Sequence, residues 1–507
     1  MDIKSLKDKI LQLAMQGKLV SQNENDEPAS ILLEKMIQEK DIIIKEKGLK
    51  KEKSLSNISK EENLFELPKG WEWSRLPNVT IFQEGPGILA KDFREEGVPL
   101  IRLSGMQSNV VSLEGCNYLD EEMVKQKWKH FKLDLGDIVI SSSASMGKVA
   151  RVDSSTVGCI PYTGLIRFKV LSGILDKYFI YFMQSPDYIS QIDAQKSGTT
   201  IKHYGPTHLK KMIIPVPPLE EQKRIVAKVD ELFELIDELD KNKQDLLENI
   251  SNSRNKVLQL AIQGKLVEQC EDDEPASILL EKIKAEKEQL IKDKVIKKEK
   301  PLPEIIEEEK QFELPKGWDW CRLGEIGVYK KGPFGSSITK SMFVPKGKNT
   351  IKVYEQKNAI QKDWTLGDYY VTKEYFESKL KGFEIFEGDI IVSCAGTIGE
   401  TYIMPNGIER GVINQALMKM KIFDGIDIDY FLMYFDFILK RTAKESSKGS
   451  AIKNIPPFDI FKKMLLPVPP LEEQKRIAAK VDLIMDYLDK LQQEIESQEI
   501  ILEDILQ

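Results

Sequence analysis

The sequence predicts an α/β fold combined with coiled coil, with two similar α/β domains separated by two long antiparallel helical elements in a cyclic pseudo-two-fold arrangement. Three observations lead to this prediction: a heptad pattern that follows residue 218, sequence repeats that do not run in linear order, and two matching stretches in which short apolar runs alternate with turns. A chain of 507 residues is long enough for three or four domains of ordinary size.

The heptad pattern continues for about forty residues, with apolar positions alternately four and three residues apart. Lys243 and Ser253 fill two gaps, and the outward positions are nearly all charged, which favours a coiled coil over a helix buried in a globular core. At ~1.5 Å per residue, such a helix is roughly 60 Å long. The same pattern follows residue 470, and we expect both seams to bind partner helices. The seam residues are Ile225, Val229, Leu232, Ile236, Leu239, Leu246, Ile250, Ile477, Val481, Ile484, Leu488 and Leu491.

The repeats cut the chain in an unusual way. PVPPLEEQKRI occurs at residues 215–225 and 467–477, whereas LQLAMQGKLV at 11–20 matches LQLAIQGKLV at 258–267. The two ends of the chain therefore add up to one copy of the central helical element. A linear tandem repeat would not be divided like this, but a closed ring would, so we predict one continuous central element and one formed by both termini.

Each α/β domain opens with FELPKGW, at residues 65–71 and 312–318, and we expect its tryptophans to pack on the domain core rather than to stack on nucleic-acid bases. The framing motifs of the two domains match, but their interiors differ, which indicates one fold with two different recognition surfaces. Predicted strands in the first domain lie near 99–103, 137–142, 148–152, 164–170 and 211–216, with a helix near 177–195. Their counterparts in the second domain lie near 349–354, 389–393, 400–404 and 416–422, with a helix near 429–444.

These signals divide the chain into five segments. An N-terminal helical segment and linker, which completes the C-terminal helical element, covers residues 1–64, and the first α/β domain covers 65–218. The central helical region and its linker cover 219–311, the second α/β domain 312–470, and the C-terminal helix 471–507.

Composition argues against several classes of protein. The five cysteines are scattered, with no CxxC pair and no Cys/His cluster, so neither a disulfide framework nor a metal site is predicted. All three histidines lie in the first half, so catalysis shared by both halves cannot depend on histidine. No apolar run is long enough to span a membrane, and the first residues lead directly into a charged helix, so we expect a cytoplasmic protein without a membrane partner.

Charge is distributed unevenly along the chain. Residues 75–218 hold 17 basic and 14 acidic side chains, and residues 321–470 hold 22 and 17. The other residues must therefore carry −15 for the chain to reach its net charge of −7. Contact with a polyanion is accordingly expected from the α/β domains rather than from the helices.

No motif predicts catalysis. The Gly-rich loops at residues 85–87 and 332–337 lack the Gly-Lys-Ser/Thr ending of a phosphate-binding loop, which leaves either a tight turn or a close approach to a DNA backbone. Residues 454–458 are close to the Asn-Pro-Pro-Phe motif of adenine-N6 methyltransferases, but an Ile interrupts the motif and the first domain has no equivalent. Paired carboxylates and nucleophile–base pairs do not recur in both domains. No catalytic residue is therefore predicted, and binding is the function that remains.

The candidate binding residues are lysines, hydroxyls and amides in the two α/β domains. Lysines and hydroxyls suit contacts with phosphate, whereas an amide can read a base edge. In the first domain the candidates for DNA binding are Lys125, Lys127, Lys129, His130, Lys196, Thr199, Thr200, Lys202 and His203. In the second domain they are Lys330, Lys331, Ser336, Ser337, Lys340, Lys352, Gln356, Lys357, Lys448, Ser450 and Lys453.

Two variable α/β domains, each followed by PVPPLEEQKRI and a long helix, resemble the specificity (S, HsdS-type) subunit of type I restriction-modification systems. The resemblance covers essentially the whole chain, and the PxPPLxEQ and GKLV repeats and the ELPxGWxW opening of each domain are highly specific to that family. It implies that each α/β domain is a target recognition domain for one half of a bipartite, asymmetric site on double-stranded DNA.

The resemblance also implies partners. The paired helices would fix the gap between the half-sites and dock two methyltransferase (M) subunits, which bind S-adenosylmethionine and methylate adenine N6, and restriction (R) subunits can join the complex. The S subunit itself would have neither catalytic activity nor a cofactor. Two alternatives stay open: a structural coiled-coil scaffold without DNA contact, and a fragment of a single-chain restriction-methylation enzyme.

Overall fold

The structure of the chain, a computed structural model, describes residues 3–46, 57–107, 109–142, 148–194, 205–394, 397–446 and 458–505, without the side chains of 440–446 and 498–505. The chain forms two compact units. Unit 1 comprises Met1–Gln244 with Ser497–Gln507, and unit 2 comprises Asp245–Glu496. Each unit contains one α/β domain and helices that pack against it.

Unit 1 combines helices from the N-terminus and the centre of the chain with one α/β domain. Its helices are α1 (Ile3–Met15), α2 (Ala29–Glu46), α3 (Leu76–Val79), α4 (Glu121–Met123), α5 (Asp176–Gln184), α6 (Pro186–Ala194), α7 (Pro206–Leu209) and α8 (Leu219–Ile262), which continues into unit 2. Its strands are β1 (Glu72–Arg75), β2 (Thr80–Glu84), β3 (Phe93–Arg94), β4 (Val98–Ile101), β5 (Asn117–Leu119), β6 (Ile138–Ser141), β7 (Val149–Arg151), β8 (Ile160–Pro161), β9 (Leu165–Val170) and β10 (Ile213–Val216).

The strands of unit 1 form two four-stranded sheets and a ribbon. One sheet has the antiparallel order β2-β9-β6-β7, and the other has the order β3-β5-β4-β8, in which β4 and β8 are parallel. The ribbon pairs the first strand of the domain with the last, so that Glu72 lies opposite Val216. The chain therefore enters and leaves the domain at adjacent points.

Unit 2 repeats this arrangement. Its further helices are α9 (Ala276–Lys292), α10 (Gln356–Ile360), α11 (Lys373–Tyr375), α12 (Ile428–Ser446), α13 (Phe458–Phe461) and α14 (Leu471–Ile505). Its strands are β11 (Asp319–Arg322), β12 (Gly327–Lys331), β13 (Thr350–Tyr354), β14 (Tyr370–Thr372), β15 (Glu384–Ile385), β16 (Ile390–Ser393), β17 (Thr401–Ile403), β18 (Gly411–Ile413), β19 (Leu417–Ile422) and β20 (Leu465–Val468). The sheets have the orders β12-β19-β16-β17 and β14-β13-β18-β15, and β11 pairs with β20.

The core of each unit lies between its α/β domain and its helices. In unit 1, Tyr178, Phe179 and Phe182 of α5 share one fully buried cluster with Ile225 and Val229 of α8. The equivalent cluster of unit 2 is formed by Tyr430, Phe431, Tyr434, Ile477 and Val481. Burial of a large apolar side chain contributes about 1.5–3 kcal/mol, so these clusters fix each domain to its helices.

One predicted helix of the first domain is two helices. The sequence predicts a single helix near residues 177–195, but the structure ends α5 at Gln184 and begins α6 at Pro186. Proline has no backbone N–H and favours the first position of a helix, and Ser185 Oγ accepts from the N–H of Tyr188 at 3.3 Å. Unit 2 has Ile438 at the position of Pro186, and there α12 is continuous.

Candidate nucleic-acid interface

In unit 1, α1 packs antiparallel to the first part of α8. The Lys7 Nζ atom lies 2.6 Å from Asp237 Oδ1 and 5.1 Å from the centroid of the Phe233 ring. Further along the chain, Gln22 Nε2 donates to Glu221 Oε1 at 3.1 Å. The later residue of the N-terminal segment thus contacts the earlier residue of α8, so the two segments are antiparallel.

Unit 2 has the same pairing between the second part of α8 and α14. Arg254 Nη2 donates to Asp489 Oδ1 at 2.5 Å, and Gln269 Nε2 donates to Glu473 Oε1 at 3.1 Å. Arg254 and Asp489 occupy the repeat positions of Lys7 and Asp237. The predicted antiparallel pairing of helices is therefore confirmed within each unit.

The opening motif of each domain is held by a buried carboxylate of the helix. Trp71 is 4% exposed and its Nε1 donates to Glu221 Oε2 at 3.0 Å, and Trp318 donates to Glu473 at the same distance. Burial raises the pKa of Glu221, and the hydrogen bonds from Trp71 and Gln22 oppose that rise. These tryptophans pack as the sequence predicts and present no face for base stacking.

The seam is buried at the start of each helix but not along its whole length. Ile225, Val229, Ile236, Ile250, Ile477 and Val481 are buried, and Leu232, Ile484 and Leu488 are half-buried. Leu239 is 57% exposed, Leu246 49% and Leu491 44%. Helices within the described residues therefore leave these three positions uncovered, and partner binding there stays a prediction.

A π-helical segment presents the predicted basic residues of the first domain. The side chain of Asp120 accepts from the N–H of Met123, after which the chain forms a π-helix at Val124–Trp128 and a 3-10 turn at Lys129–Phe131. In unit 2, the side chain of Thr372 likewise accepts from the N–H of Tyr375. A π-helix at Phe376–Leu380 and a 3-10 turn at Lys381–Phe383 follow. π-Helical turns are rare and occur often at functional sites.

The Gly-rich loops adjoin these segments. A Cβ atom on Gly85 would lie 2.2 Å from the carbonyl oxygen of Pro161, and one on Gly332 would lie 1.8 Å from that of Asn414. Both glycines are therefore required by close packing within the protein itself. This result supports a tight turn at these two positions rather than a glycine that lets a DNA backbone approach closely.

Loop and π-helical segment form one surface in each domain. In unit 1, Ile88 of the loop is buried in a cluster with Val124, and Trp128 packs against that cluster. In unit 2, Tyr375 Oη donates to the carbonyl oxygen of Ser337 at 3.0 Å, and Lys330 Nζ lies 4.6 Å from the centroid of the Phe383 ring. We call these two areas the loop–segment surfaces, residues 85–94 with 124–131 and residues 330–340 with 376–383.

The structure places many predicted DNA-binding residues on these surfaces. Lys125, Lys127, Lys129 and His130 are all exposed, and the hydrogen bond from Lys125 to Glu122 raises the lysine pKa. In unit 2, Lys331, Ser336 and Lys340 are exposed on the loop–segment surface, whereas Lys330 and Ser337 there are half-buried. Lys357 is exposed and Gln356 half-buried on α10, and Gln356 Nε2 donates to the carbonyl oxygen of Thr397 at 3.4 Å. Lys196, Thr199, Thr200, Lys202, His203, Lys448, Ser450 and Lys453 lie outside the described residues.

Lys352 does not belong with this set. Its residue is 2% exposed, its Nζ donates to the carbonyl oxygen of Thr365 at 2.9 Å, and it lies 5.7 Å and 5.9 Å from the ring centroids of Tyr354 and Trp364. Burial lowers its pKa. The prediction that Lys352 contacts DNA is corrected accordingly, because its ammonium group faces the interior of the domain.

Two further lysines belong to the surface of unit 2. Lys379 and Lys381 are exposed and occupy the repeat positions of Lys127 and Lys129. They do not stand out in the sequence, because Glu377 replaces the first lysine of the segment and Leu380 replaces its tryptophan. The offset of 252 residues between GDIVIS and GDIIVS was the signal that could have found them.

Metal-binding clusters and membrane-spanning helices are not found in the described part of the chain. Its histidine, cysteine and acidic side chains form no group of three or more that could hold a metal ion. Nor does any helix within the described ranges combine the length and the apolar character needed to cross a membrane.

Paired α/β domains carried on long antiparallel helices, with a similar framework and different surfaces, define a modular specificity protein. The family model for the type I restriction modification DNA specificity domain matches twice, at residues 68–249 and 315–503. The chain therefore belongs to this family and is a specificity subunit of a type I restriction-modification system.

Comparisons with known proteins agree. The specificity subunit of the type I restriction enzyme EcoAI from Escherichia coli is 30% identical, over 96% of this chain and 90% of the relative, and that of EcoEI is 28% identical, over 98% and 91%. The HsdS subunit from Thermoanaerobacter tengcongensis shares the fold, with a TM-score of 0.51, 19% identity, and coverage of 87% of this chain and 98% of that one. A chain from a structural study of complex assembly in the type I R-M system has a TM-score of 0.55, 21% identity, and coverage of 87% and 97%. These comparisons confirm the predicted family and fold class.

Proposed function

We propose that each α/β domain reads one half of a bipartite, asymmetric site on double-stranded DNA, and that the helices set the distance between the half-sites and dock two M subunits. R subunits would join through the M subunits. The chain itself would be non-catalytic and bind no cofactor, with S-adenosylmethionine bound by its methyltransferase partners.

One observation carries this proposal: the internal contacts of the two units repeat, whereas their loop–segment surfaces differ. Arg224 pairs with Asp26 at 2.7 Å, and Arg476 pairs with Asp273 at 2.6 Å. By contrast, the loop of the first domain has the sequence Gly-Pro-Gly-Ile-Leu where the second domain has Gly-Pro-Phe-Gly-Ser. This pattern is expected of a duplicated domain that keeps its contacts with the helices and binds a different target.

A domain exchange tests the proposal. Replacement of residues 65–218 by the corresponding domain of the EcoAI relative is expected to change one half-site and leave the other half-site intact, because the β1–β10 ribbon keeps both junctions together. The measurement is single-molecule methylome sequencing of cells that express the hybrid with its M subunits. Exchange of residues 312–470 is the matched control and should change the opposite half-site. Loss of both half-sites in a folded hybrid would contradict the proposal.

The basic π-helical segment allows a second test. The triple substitution Lys125→Ala, Lys127→Ala and Lys129→Ala is expected to weaken binding to all duplexes and to reduce the salt dependence of binding, by about 0.9 in log–log slope for each lost phosphate contact. Fluorescence anisotropy of the complex with its M subunits, between low and moderate salt, measures this slope. Alanines at Lys282, Lys284 and Lys292, which are exposed on the acidic helical part, are the matched control. Equal slopes for both triple variants would rule out the assigned contact.

A further inference from the structure

The Gly-rich loop of unit 2 carries an unusually exposed aromatic side chain. Phe334 is 87% exposed, more than any other large apolar residue in the described part of the chain. A phenylalanine this exposed forgoes the stabilisation that burial would give it. The same loop carries three exposed polar side chains, those of Lys331, Ser336 and Lys340.

The loop that carries Phe334 is anchored on both sides. The N–H of Gly332 donates to the carbonyl oxygen of Leu417 at 2.8 Å, and Pro333 is buried. After Phe334, a 3-10 turn closes with a 2.7 Å hydrogen bond from the N–H of Ser337 to the carbonyl oxygen of Phe334. The ring therefore projects from a short loop with fixed ends.

Unit 1 also has an exposed apolar residue in its Gly-rich loop, but at a different place. Leu89 is 61% exposed, follows the buried Ile88, and precedes the 3-10 turn Ala90–Asp92. The N–H of Asp92 donates to the carbonyl oxygen of Leu89 at 2.9 Å, as that of Met342 does to Thr339 at 3.0 Å in unit 2. Leu89 therefore corresponds to Thr339, and the exposed aromatic tip distinguishes the loop of unit 2 from that of unit 1.

We propose that Phe334 inserts between two adjacent base pairs of the DNA bound by unit 2 and unstacks them. This inference rests on the proposed function. Phe is a side chain that serves as a wedge between base steps, and the flanking lysines and hydroxyls suit the phosphates on either side of such a step.

The composition of the unit 2 loop favours a wedge over direct reading of a base. In direct reading, Phe334 would contact a thymine methyl group, and a neighbouring Asn, Gln or Arg would bind the adjacent base edges. Residues 330–340 contain lysines, hydroxyls and apolar side chains but no Asn, Gln or Arg. Local unstacking also suits the chemistry of the proposed complex. A methyltransferase must take its target base out of the stack, and a step that is already distorted lowers that cost.

The test uses the full chain assembled with its M subunits and a duplex that contains the mapped half-sites. 2-Aminopurine replaces one base at a time in the unit 2 half-site, except the target adenine, which the methyltransferase itself takes out of the stack. Its fluorescence is expected to rise on binding at a single step. Phe334→Ala should abolish that rise and weaken binding roughly 5- to 100-fold, the range seen when a stacked aromatic is removed. Phe334→Trp should preserve the rise.

Phe386→Ala is the matched control. This residue is 57% exposed but sits in a turn beside Glu387 and Asp389, so its loss should change neither fluorescence nor affinity. The wedge is refuted if no step brightens with the unmodified complex, or if Phe334→Ala instead impairs assembly with M subunits. It is also refuted if replacing one thymine by deoxyuridine causes the same loss of affinity as Phe334→Ala. Failure of the proposed function is a separate result, in which the unmodified complex does not distinguish the mapped duplex from a scrambled one.

Discussion

Deletion of residues 239–245 from α8 is expected to shorten the gap between the two half-sites by about three base pairs and to leave both half-site sequences unchanged. Seven helical residues rise ~10.5 Å, which is the length of roughly three base-pair steps. A heptad also returns the following residues to nearly the same helical face. The deleted stretch lies between the buried residues Ile236 and Ile250, so the buried seam contacts of each unit are kept.

Methylome sequencing of cells that express the deletion variant with M subunits measures the new gap. Alanine at Lys241, Asn242 and Gln244, which changes the same stretch without changing its length, should leave the gap as it is. A deletion variant that methylates the original site with its original gap would show that α8 does not set the spacing.

Arg322→Ala is expected to destabilise unit 2 by about 1–3 kcal/mol, because it leaves the backbone carbonyl oxygens that the buried Arg322 satisfies without their donor. Arg322 is 1% exposed, and its guanidinium group donates to the carbonyl oxygens of Pro303, Glu304 and Lys463 and to Glu309, at 2.6–2.9 Å for the shortest bond to each. These bonds connect strand β11, which contains Arg322, to the preceding linker at Pro303–Glu309 and to Lys463 near the end of the domain.

Urea denaturation followed by tryptophan fluorescence measures the loss. Arg75→Ala, at the repeat position in unit 1, should cost less because Arg75 donates only to Lys211 and Glu62 among the described residues. Lys490→Ala removes a cation whose side chain is 63% exposed and whose partner Asp486 is 59% exposed, and should change stability by no more than about 1 kcal/mol. An Arg322 variant as stable as the Lys490 variant would contradict this argument.

Contacts that both units share could be predicted, because the sequence contains them twice. Trp71 and Glu221 lie in motifs that recur almost letter for letter, so the packing of the opening motif and the antiparallel helices followed from the repeat. The strands predicted from apolar runs all exist, with ends displaced by at most two residues. Strands such as β5 and β15 were not predicted, because a run of two or three residues is too short to show the period of two that marks a strand.

Features that depend on tertiary contacts could not be predicted in this way. Lys352 lies on a strand whose two faces are both covered, and a period of two residues does not reveal that Trp364 and Thr365 approach it from another loop. Phe334 could not be singled out, since the sequence does not show whether an apolar residue in a loop is exposed or buried. The helix break at Pro186 was missed because apolar periodicity continues on both sides of it.

The terminal ribbons of the α/β domains have a further consequence. Glu72 lies opposite Val216 and Asp319 opposite Val468, so each domain is a cassette whose two junctions are neighbours in space. Insertions and deletions inside the cassette then leave the geometry of its attachment unaltered. The second cassette already shows such tolerance: its loops differ from those of the first while the ribbon register is the same, so the target can diverge without rebuilding the scaffold.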